Sequence, residues 1–555
     1  MNGGERKMNK RARLISLLLI AALTLSLVLA ACGNNQPGSN QPSASQPGNN
    51  QPGTSQQPGG SGNEEEVVVI VGIPNSWNHL MPHSPPSAYQ IEIDTVIFDL
   101  PARINEAGGI EPRAAESWSV SDDLMTMTLN LRKDLYFHDG VQLTSKDWKY
   151  TIDLMTSEYA KECINQSRYN WCAGTDDTGL LAPGAPSGVD APDDFTLVLH
   201  FKTPMSANSF FLNYGYILFV LPEHLLSDLD PADLMTWDFW KAPIGSGPFR
   251  FVSENSGVEI VLEYVGNYPV GDVQFDKLIY RVIAPDTAES ALLAGEINMY
   301  YYGFTSDAIK PLDGVPGVRT QLMSNVSTFS ALCINNEKFD VNFRKALNYA
   351  MDKELMVESL FFGDADPTNT SVRVTSPFVV ETWQGRNVEL AKEYLAKSSW
   401  EPGGPPITLA CAPGLRTQMA AVLQQNFAEI GVDVEVRTMD QPVVLSGLQD
   451  GSLDMGFFNG SSSSNPTWIV NMPVFFQDLC HMPNKHVYYD FRARVAAATT
   501  DTELAKVSAE FQAYWEEHLP AVPIQHAYGW YIFSDWLQNV TAIETSAVWT
   551  WKIVK

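Results

Sequence analysis

Cysteine is scarce in this chain: there are six in 555 residues, and none has the C-x-x-C spacing of a structural zinc site. Prolines interrupt both candidate pairs of histidine ligands, His79 with His83 and His481 with His486. The G-x-S-x-G, H-E-x-x-H and G-x-x-x-x-G-K-[ST] motifs are absent from the sequence. We therefore expect no catalytic residues, no metal site and no cofactor, and a protein that is not an enzyme.

Positively charged residues are also few. Lys and Arg total 36 against 64 Asp and Glu, which gives a formal net charge of −28. A surface this acidic repels phosphate backbones, so nucleic acid is not an expected partner. The hydrophobic fraction of 45% and the aromatic fraction of 11% are typical of a folded globular chain and exclude a disordered or fibrous one.

The few basic residues concentrate at the N-terminus, where five lie within residues 1–13 and precede an apolar run at 14–31. This pattern indicates a secretory signal, although the run is long enough for a membrane-spanning helix. The run ends in L-A-A-C at 29–32, which resembles the lipobox of bacterial lipoproteins. The resemblance implies cleavage before Cys32 and a lipid on its thiol, which would anchor the protein to the outer face of the bacterial cell membrane.

Residues 33–63 consist almost entirely of Gly, Asn, Gln, Pro and Ser, with Q-P-G repeated four times. Such a segment has no apolar side chain larger than Ala and forms no core. We expect a flexible tether over residues 32–66 that spans roughly 30 Å. Beyond it, Cys163 and Cys172 are close enough in sequence to close a short disulfide loop.

Hydrophobic patterning predicts an α/β body. The apolar run 67–73 predicts a buried strand, and the alternation at 125–131 predicts a half-buried one. Thr144 with Asp147 forms a capping box that opens a helix. Strands at 407–412 and 432–438 flank an amphipathic helix, which predicts a βαβ unit and hence a parallel sheet. A second unit is indicated by Asp286 capping a helix at 287–294, followed by a strand at 297–302.

Seven short segments, in order along the chain, carry motifs that occur together in one known family. The segments are E-P-R-A-A-E-S-W at 111–118, F-H-D-G at 137–140, L-T-S-K-D at 143–147, P-I-G-S-G-P-F at 243–249, A-G-E-I-N at 294–298, F-R-K-A-L-N-Y-A-M-D at 343–352 and G-S-L-D-M at 451–455. Any one of these segments is a weak signal, whereas their common order from residue 67 onward is specific. Together they resemble the family-5 extracellular solute-binding proteins of ABC importers, which include oligopeptide-, dipeptide- and nickel-binding members.

The resemblance implies a two-lobed clamshell of the periplasmic-binding-protein type II fold, with mixed sheets. Lobe 1 would comprise residues 67–325 and a return segment at 520–555, with a hairpin-rich extra subdomain around 110–240. Lobe 2 would comprise residues 326–519. The hinge strands would lie near 328–335 and 520–525.

One family motif is altered here. In peptide-binding members a W-x-x-D-x-x-x-P segment follows the G-x-F-D-M strand, and its Asp pairs with the peptide ammonium. Counting back from Pro466 places Ser462 at the acid position and Asn459 at the Trp position. Ser and Asn carry no charge, so either another carboxylate binds the ammonium or the ligand is not a linear peptide.

The remaining ligand-binding candidates are a polar residue and tryptophans placed where clefts receive ligands. Asn75 and Trp77 follow the first strand, and ligands of α/β sheets bind at strand ends. The other three are Trp383, Trp468 and Trp530. Convergence of several would favour stacking on sugar rings or aromatic solutes.

Together these observations predict a monomeric, lipid-anchored receptor that captures an extracellular solute by hinge closure and delivers it to an ABC permease and its ATPases. A peptide is the expected ligand, and an oligosaccharide or other non-peptide solute is the alternative. Two further alternatives are a secreted hydrolase and an adhesion lipoprotein.

Overall fold

The structure of the protein is a computed structural model. It describes residues 66–554, apart from 78, 85–87, 106–108, 163–165, 305, 375, 381–382, 464–475 and 541–546. The predicted signal, the predicted lipidation site Cys32 and all of the predicted tether but Glu66 lie outside the described residues, as do Cys163 and Trp468. Cys172 is described and carries a free, buried thiol.

Strands predicted from hydrophobic patterning form the sheets. The segment at 125–131 becomes a strand whose Met127, Leu129 and Leu131 are buried while the residues between them are partly or fully exposed. The strands are β1 (Val68–Ile73), β2 (Ala102–Ile104), β3 (Ile110–Pro112), β4 (Ala115–Val120), β5 (Thr126–Leu131), β6 (Val189–Asp193), β7 (Thr196–His200), β8 (Phe249–Asn255), β9 (Glu259–Tyr264), β10 (Lys277–Val282), β11 (Met299–Phe304), β12 (Val318–Ile334), β13 (Ala365–Pro367), β14 (Ile407–Cys411), β15 (Val434–Thr438), β16 (Met455–Ser463), β17 (Val522–Ser534), β18 (Leu537–Gln538) and β19 (Lys552–Ile553).

The main sheet is mixed. Within the described residues it has the order β15-β14-β16-β12-β17-β11-β1-β10-β9-β8, and β13 adds to β17. β1 is parallel to β10 and β11, and β14 is parallel to β15 and β16. β12 is antiparallel to both β16 and β17. A separate antiparallel sheet has the order β4-β5-β7-β6.

The helices cover this sheet, and their ends follow the expected capping chemistry. Thr144 and Asp147 form the predicted capping box of α2, and Gly431, just after α10, has the positive φ of 85° that favours glycine. The described helices are α1 (Ala88–Ile97), α2 (Ser145–Thr156), α3 (Ala207–Asn213), α4 (Glu223–Leu226), α5 (Ala288–Leu293), α6 (Ser306–Ile309), α7 (Val341–Ala350), α8 (Lys353–Leu360), α9 (Val388–Lys397), α10 (Leu415–Glu429), α11 (Gln441–Gln449), α12 (Lys485–Ala497) and α13 (Asp501–His518).

The second predicted unit begins later than expected. Asp286 does not cap a helix of eight residues, since it lies in a 3-10 turn, Pro285–Thr287. α5 begins after Thr287, and β11 begins at Met299 instead of 297. Pro285 supplies the fixed φ of the first position of this turn, so the proline and not the acid sets where the chain turns.

Buried side chains form two large clusters, which we name core 1 and core 2. Core 1 is built on β1, β5 and β10, and it also contains the buried residues of the segment around 110–240. Core 2 is built on β14, β16 and the helices α7, α10 and α13. The described chain therefore folds as two lobes.

β12 and β17 join the two cores. On β12, Met323 belongs to core 1 and Phe329 to core 2. On β17, Ile524 belongs to core 2 and Tyr531 to core 1. The passage between lobes thus lies within 323–329 and 524–531. The predicted hinge segments 328–335 and 520–525 lie mainly on the core 2 side of it, and the residue boundaries of the lobes stay predictions.

His138 connects two of the family-like segments, 137–140 and 243–249, inside lobe 1. Its Nδ1 accepts from Gly245 N at 3.3 Å and its Nε2 lies 3.0 Å from Gly247 O, so the neutral ring with the proton on Nε2 satisfies both contacts. Burial lowers the pKa of His138 to about 4. Protonating Nδ1 would remove the acceptor for Gly245 N.

This geometry predicts a pH effect on stability. In the unfolded chain His138 has an ordinary pKa near 6.5, so the unfolded state binds a proton below that pH. The folded state binds the same proton only when the pH falls to about 4. Stability is therefore lost as pH falls through this window. Between pH 7 and pH 5 this proton uptake should lower the free energy of unfolding of wild type by about 2 kcal/mol. Because His138→Gln has no imidazole at this position, we expect its free energy of unfolding to fall by about 2 kcal/mol less over the same range.

Urea unfolding at both pH values measures this difference. His200→Gln, at a partly exposed position beside Asp190, is the matched control for replacing a histidine by glutamine. An unaltered pH dependence in His138→Gln would contradict the prediction.

Candidate functional site

Three polar side chains lie side by side where the lobes join. Asn459 on β16, Ser330 on β12 and Gln525 on β17 occupy paired register positions on three adjacent strands. Gln525 Nε2 donates to Ser330 Oγ at 2.8 Å, and both residues are buried. Among the described residues Gln525 Oε1 receives no hydrogen bond. Burying polar groups in this way costs free energy unless they are hydrogen-bonded, so the row is a specific polar feature of the hinge.

Arg416 extends this row. One orientation of the Asn459 amide satisfies both of its neighbours: the nitrogen donates to Ser330 Oγ at 3.2 Å, and the oxygen accepts from Arg416 Nη2 at 3.3 Å. Arg416 Nη1 donates to Gln441 Oε1. The local fold explains the position, because Arg416 lies in the first turn of α10, directly after the carboxyl end of β14.

Electrostatically, Arg416 is a cation without a counter-ion in the described part of the chain. Burial lowers its pKa, although the guanidinium stays charged at neutral pH. The neighbours named above are neutral amides, and none of the ion pairs between described residues involves Arg416. The carboxyl edge of parallel strands is where α/β sheets receive ligands. Arg416 is therefore suited to bind a ligand carboxylate.

The opposite face of β17 carries aromatic side chains that are held by carboxylates. Trp530 Nε1 donates to Asp364 Oδ2 at 2.7 Å, and Tyr528 OH donates to Asp366 Oδ2. Burial and Asp366 together raise the pKa of Tyr528. Asp366 pairs with His526, the neighbour of Gln525 along β17, and successive residues of a strand face opposite sides. The predicted site residues Trp530 and Asn459 are thus not brought onto one face.

Trp383 lies over the start of α8. Its ring centroid is 3.9 Å from Lys353 Nζ, and its Nε1 donates to Glu354 Oε1 at 2.7 Å. The Lys353 ammonium is buried and also donates to Asn348 Oδ1 and to Thr368 O, each at 2.8 Å. These contacts fix Trp383 against lobe 2.

The other predicted site residues lie elsewhere. Asn75 is exposed just after β1. Trp77 is 5% exposed, packs in core 1 and donates from Nε1 to Glu254 Oε1 at 2.8 Å. Ser462 pairs with Ser327 in the backbone register of β16 and β12, and Trp468 lies outside the described residues.

Sequence reasoning missed Arg416, Ser330 and Gln525. The signal for Arg416 was present, because the predicted βαβ unit places the residues after 407–412 at a carboxyl edge. Ser330 and Gln525 had no such signal, since only the three-dimensional register brings strands this distant in sequence together.

Comparison with known proteins places these features in a family. The chain is 29% identical over 356 residues to an ABC transporter peptide-binding protein of Brucella ovis, with 59% of this chain and 60% of that protein covered. It is 25% identical over 468 residues to the oligopeptide-binding protein AppA of Bacillus subtilis, with 80% of each covered. The matches thus span about three fifths to four fifths of these relatives.

The fold has solved counterparts. The structure of the ABC transporter substrate-binding protein CtaP from Listeria monocytogenes superimposes with a TM-score of 0.74 at 20% identity, covering 88% of this chain and 100% of that one. This confirms the two-lobed mixed α/β fold. The sequence model described as bacterial extracellular solute-binding proteins, family 5 middle, matches residues 109–478. The chain therefore belongs to family 5 of the bacterial extracellular solute-binding proteins.

Proposed function

We propose that this protein is the solute-capturing receptor of an ABC importer and that its ligand is a peptide. The observation that carries the proposal is Arg416, a cation beside Asn459 at the junction of the lobes that forms no ion pair with another described residue. The relatives named as peptide-binding and oligopeptide-binding proteins support the same ligand class. An oligosaccharide or other non-peptide solute is the second candidate, favoured by the absence of an acid at Ser462.

The mechanism follows from the strands that join the lobes. Rotation about β12 and β17 would open and close the space between core 1 and core 2. A ligand that contacts both lobes binds the closed arrangement more tightly and so shifts the population toward it. No step breaks a covalent bond, so the protein acts as a receptor and not as an enzyme. The closed complex would deliver its ligand to a permease and its ATPase subunits, with the receptor acting as a monomer.

Thermal-shift measurements with defined peptides test the ligand class. A peptide with a free carboxyl terminus at about a hundred times its Kd should stabilise the wild type by about 2.7 kcal/mol. We expect its C-terminally amidated analogue to bind on the order of ten-fold more weakly, because a charge-assisted hydrogen bond to Arg416 is lost.

Two variants identify the residue responsible. Arg416→Gln should erase the difference between the free and amidated peptides. Arg437→Gln is the control, since Arg437 is exposed on β15 and pairs with Glu435. Equal binding of both peptides to wild type would contradict the role of Arg416. A shift with an oligosaccharide but with no peptide would contradict the peptide ligand and leave the receptor role standing.

The membrane anchor is a separate part of the proposal. Within the described residues, no helix has both the length and the hydropathy to cross a bilayer. We propose that a lipid on Cys32 anchors the protein to the outer face of the cell membrane, with residues 32–66 as a tether. The L-A-A-C sequence at 29–32 supports this.

Cys32→Ser should release the protein into the medium or leave its signal uncleaved. Fractionation of cells expressing both forms, followed by mass measurement of the N-terminal peptide, distinguishes the outcomes. Cys411→Ser, which changes a buried thiol of core 2, controls for loss of a cysteine as such. Correct cleavage with full membrane retention in Cys32→Ser would rule out the lipid anchor.

A further inference from the structure

A second contact between the lobes lies away from β12 and β17. α3 belongs to lobe 1, because its Phe210 and Phe211 are buried in core 1. α12 and α13 belong to lobe 2, because Val495 and Leu504 are part of core 2. Side chains from both groups line one narrow space, which we name the seam. It is lined by Ser206, Ser209 and Leu212 from lobe 1 and by Val495, Thr499 and Leu504 from lobe 2.

Leu212 is a buried apolar side chain that lines the seam. Its side chain is only 4% exposed, yet it belongs to neither core 1 nor core 2. Val495 and Leu504 of the other lobe line the seam with it, so separation of the lobes would remove apolar neighbours from this leucine, which is unfavourable.

A backbone hydrogen bond crosses the seam. Ser206 N donates to Ala496 O at 2.9 Å. Ala496 lies in the last turn of α12, where carbonyl groups receive no hydrogen bond from an N–H of the same helix. Ser206 Oγ meanwhile accepts from Ser209 N at 3.2 Å and caps α3. One residue therefore caps a helix of its own lobe and satisfies a helix end of the other.

We propose that the seam is a latch that stabilises the closed arrangement of the lobes. The described core residues show the chain passing between the lobes at β12 and at β17, and a latch requires that rotation about those strands separate α3 from α12. The latch contributes to closure before any ligand contact is made, and it thereby raises the apparent affinity for every ligand. It depends on the two-lobed fold and not on the class of ligand.

Disulfide trapping tests the latch without a ligand. In the full-length chain, Ser206→Cys with Ala496→Cys places two thiols at positions joined by a 2.9 Å backbone contact. With oxidised glutathione, the rate at which the linked peptide forms reports the closed population. We expect the double variant to cross-link and each single variant to yield no such peptide.

Adding Leu212→Glu to the pair should slow cross-linking on the order of ten-fold, because closure would then bury a carboxylate in place of a leucine. Leu229→Glu, at a position already 38% exposed in lobe 1, should leave the rate unchanged. Absence of the linked peptide, or an equal rate with Leu212→Glu, would overturn the latch.

A second pair of variants covers the case in which Leu212→Glu does not fold. Ser206→Ala removes the cap but keeps the backbone donor, whereas Ser206→Pro removes both at a residue whose φ of −75° suits proline. Small-angle scattering of the ligand-free chains should give a larger radius of gyration for Ser206→Pro than for Ser206→Ala. Equal radii would overturn the proposal, whatever the outcome of the peptide-binding experiments.

Discussion

Replacing Arg113 by methionine is expected to lower the free energy of unfolding by about 3–5 kcal/mol. Arg113 and Asp99 form an ion pair in core 1 with both side chains 0% exposed, and Nε lies 2.7 Å from Asp99 Oδ1. Tyr268 OH donates to the same oxygen at 2.7 Å. Methionine keeps much of the volume but leaves the carboxylate of Asp99 buried without its cation.

The loss should depend on pH. Burial raises the pKa of Asp99, and the charge of Arg113 opposes that rise. Without Arg113 the folded state retains a proton on Asp99 that the unfolded state releases near pH 4. Stability of the variant therefore falls further behind wild type as pH rises from 5 to 8.

Denaturant unfolding of the body at pH 5 and pH 8 measures both effects. Arg132→Met is the control, because its partner Asp134 is exposed and such pairs contribute about 1 kcal/mol or less. A deficit for Arg113→Met no larger than that of the control would contradict the argument.

Gly245→Ala is the second substitution with a large expected effect. A Cβ at this position would lie 1.9 Å from Ile97 O and 2.7 Å from Ile97 C, which are backbone atoms at the end of α1. The same turn donates Gly245 N to His138 and Gly247 N to Ile97 O, so it cannot move without breaking these bonds. We expect a loss of about 3 kcal/mol or more, or failure to fold.

The matched substitution is Gly404→Ala. A Cβ at Gly404 meets nothing within 4 Å, so that change should be neutral or stabilising by less than about 1 kcal/mol. Thermal unfolding of both variants gives the comparison. If Gly245→Ala had the same melting temperature as wild type, the close approach of this turn to α1 would not be a constraint on the fold.

Local patterns predicted the elements well because their information is local. The alternation of Met127 and Leu129, the capping box at Thr144 and the βαβ unit around α10 each depend on residues within one or two turns. The prediction that Asp286 caps a helix was wrong because Pro285, the residue before it, is also a signal for a helix start. Pro285 determines the turn.

The candidate site was less accessible to prediction because it depends on register. Ser330, Asn459 and Gln525 come from three strands whose pairing no short motif encodes. The family resemblance directed attention to Asn459 but carried no information about the partner Arg416 on α10. Trp530 and Trp77 were predicted as ligand contacts from their positions in the sequence, and that role stays a prediction. In the structure their indole nitrogens donate to Asp364 and Glu254.

The central position of β17 has a consequence for biosynthesis. This strand comes from the last part of the chain, yet it pairs with β12 and β11 in the middle of the main sheet and supplies Ile524 to core 2 and Tyr531 to core 1. Until a ribosome has released these residues, neither core is complete and β12 presents an unpaired edge. Completion of either core must therefore wait for β17 and depend on contacts far apart in sequence, which makes folding slow. A nascent chain that stays unfolded until β17 emerges is one that can still be threaded across a membrane, and a fragment ending before residue 520 should aggregate.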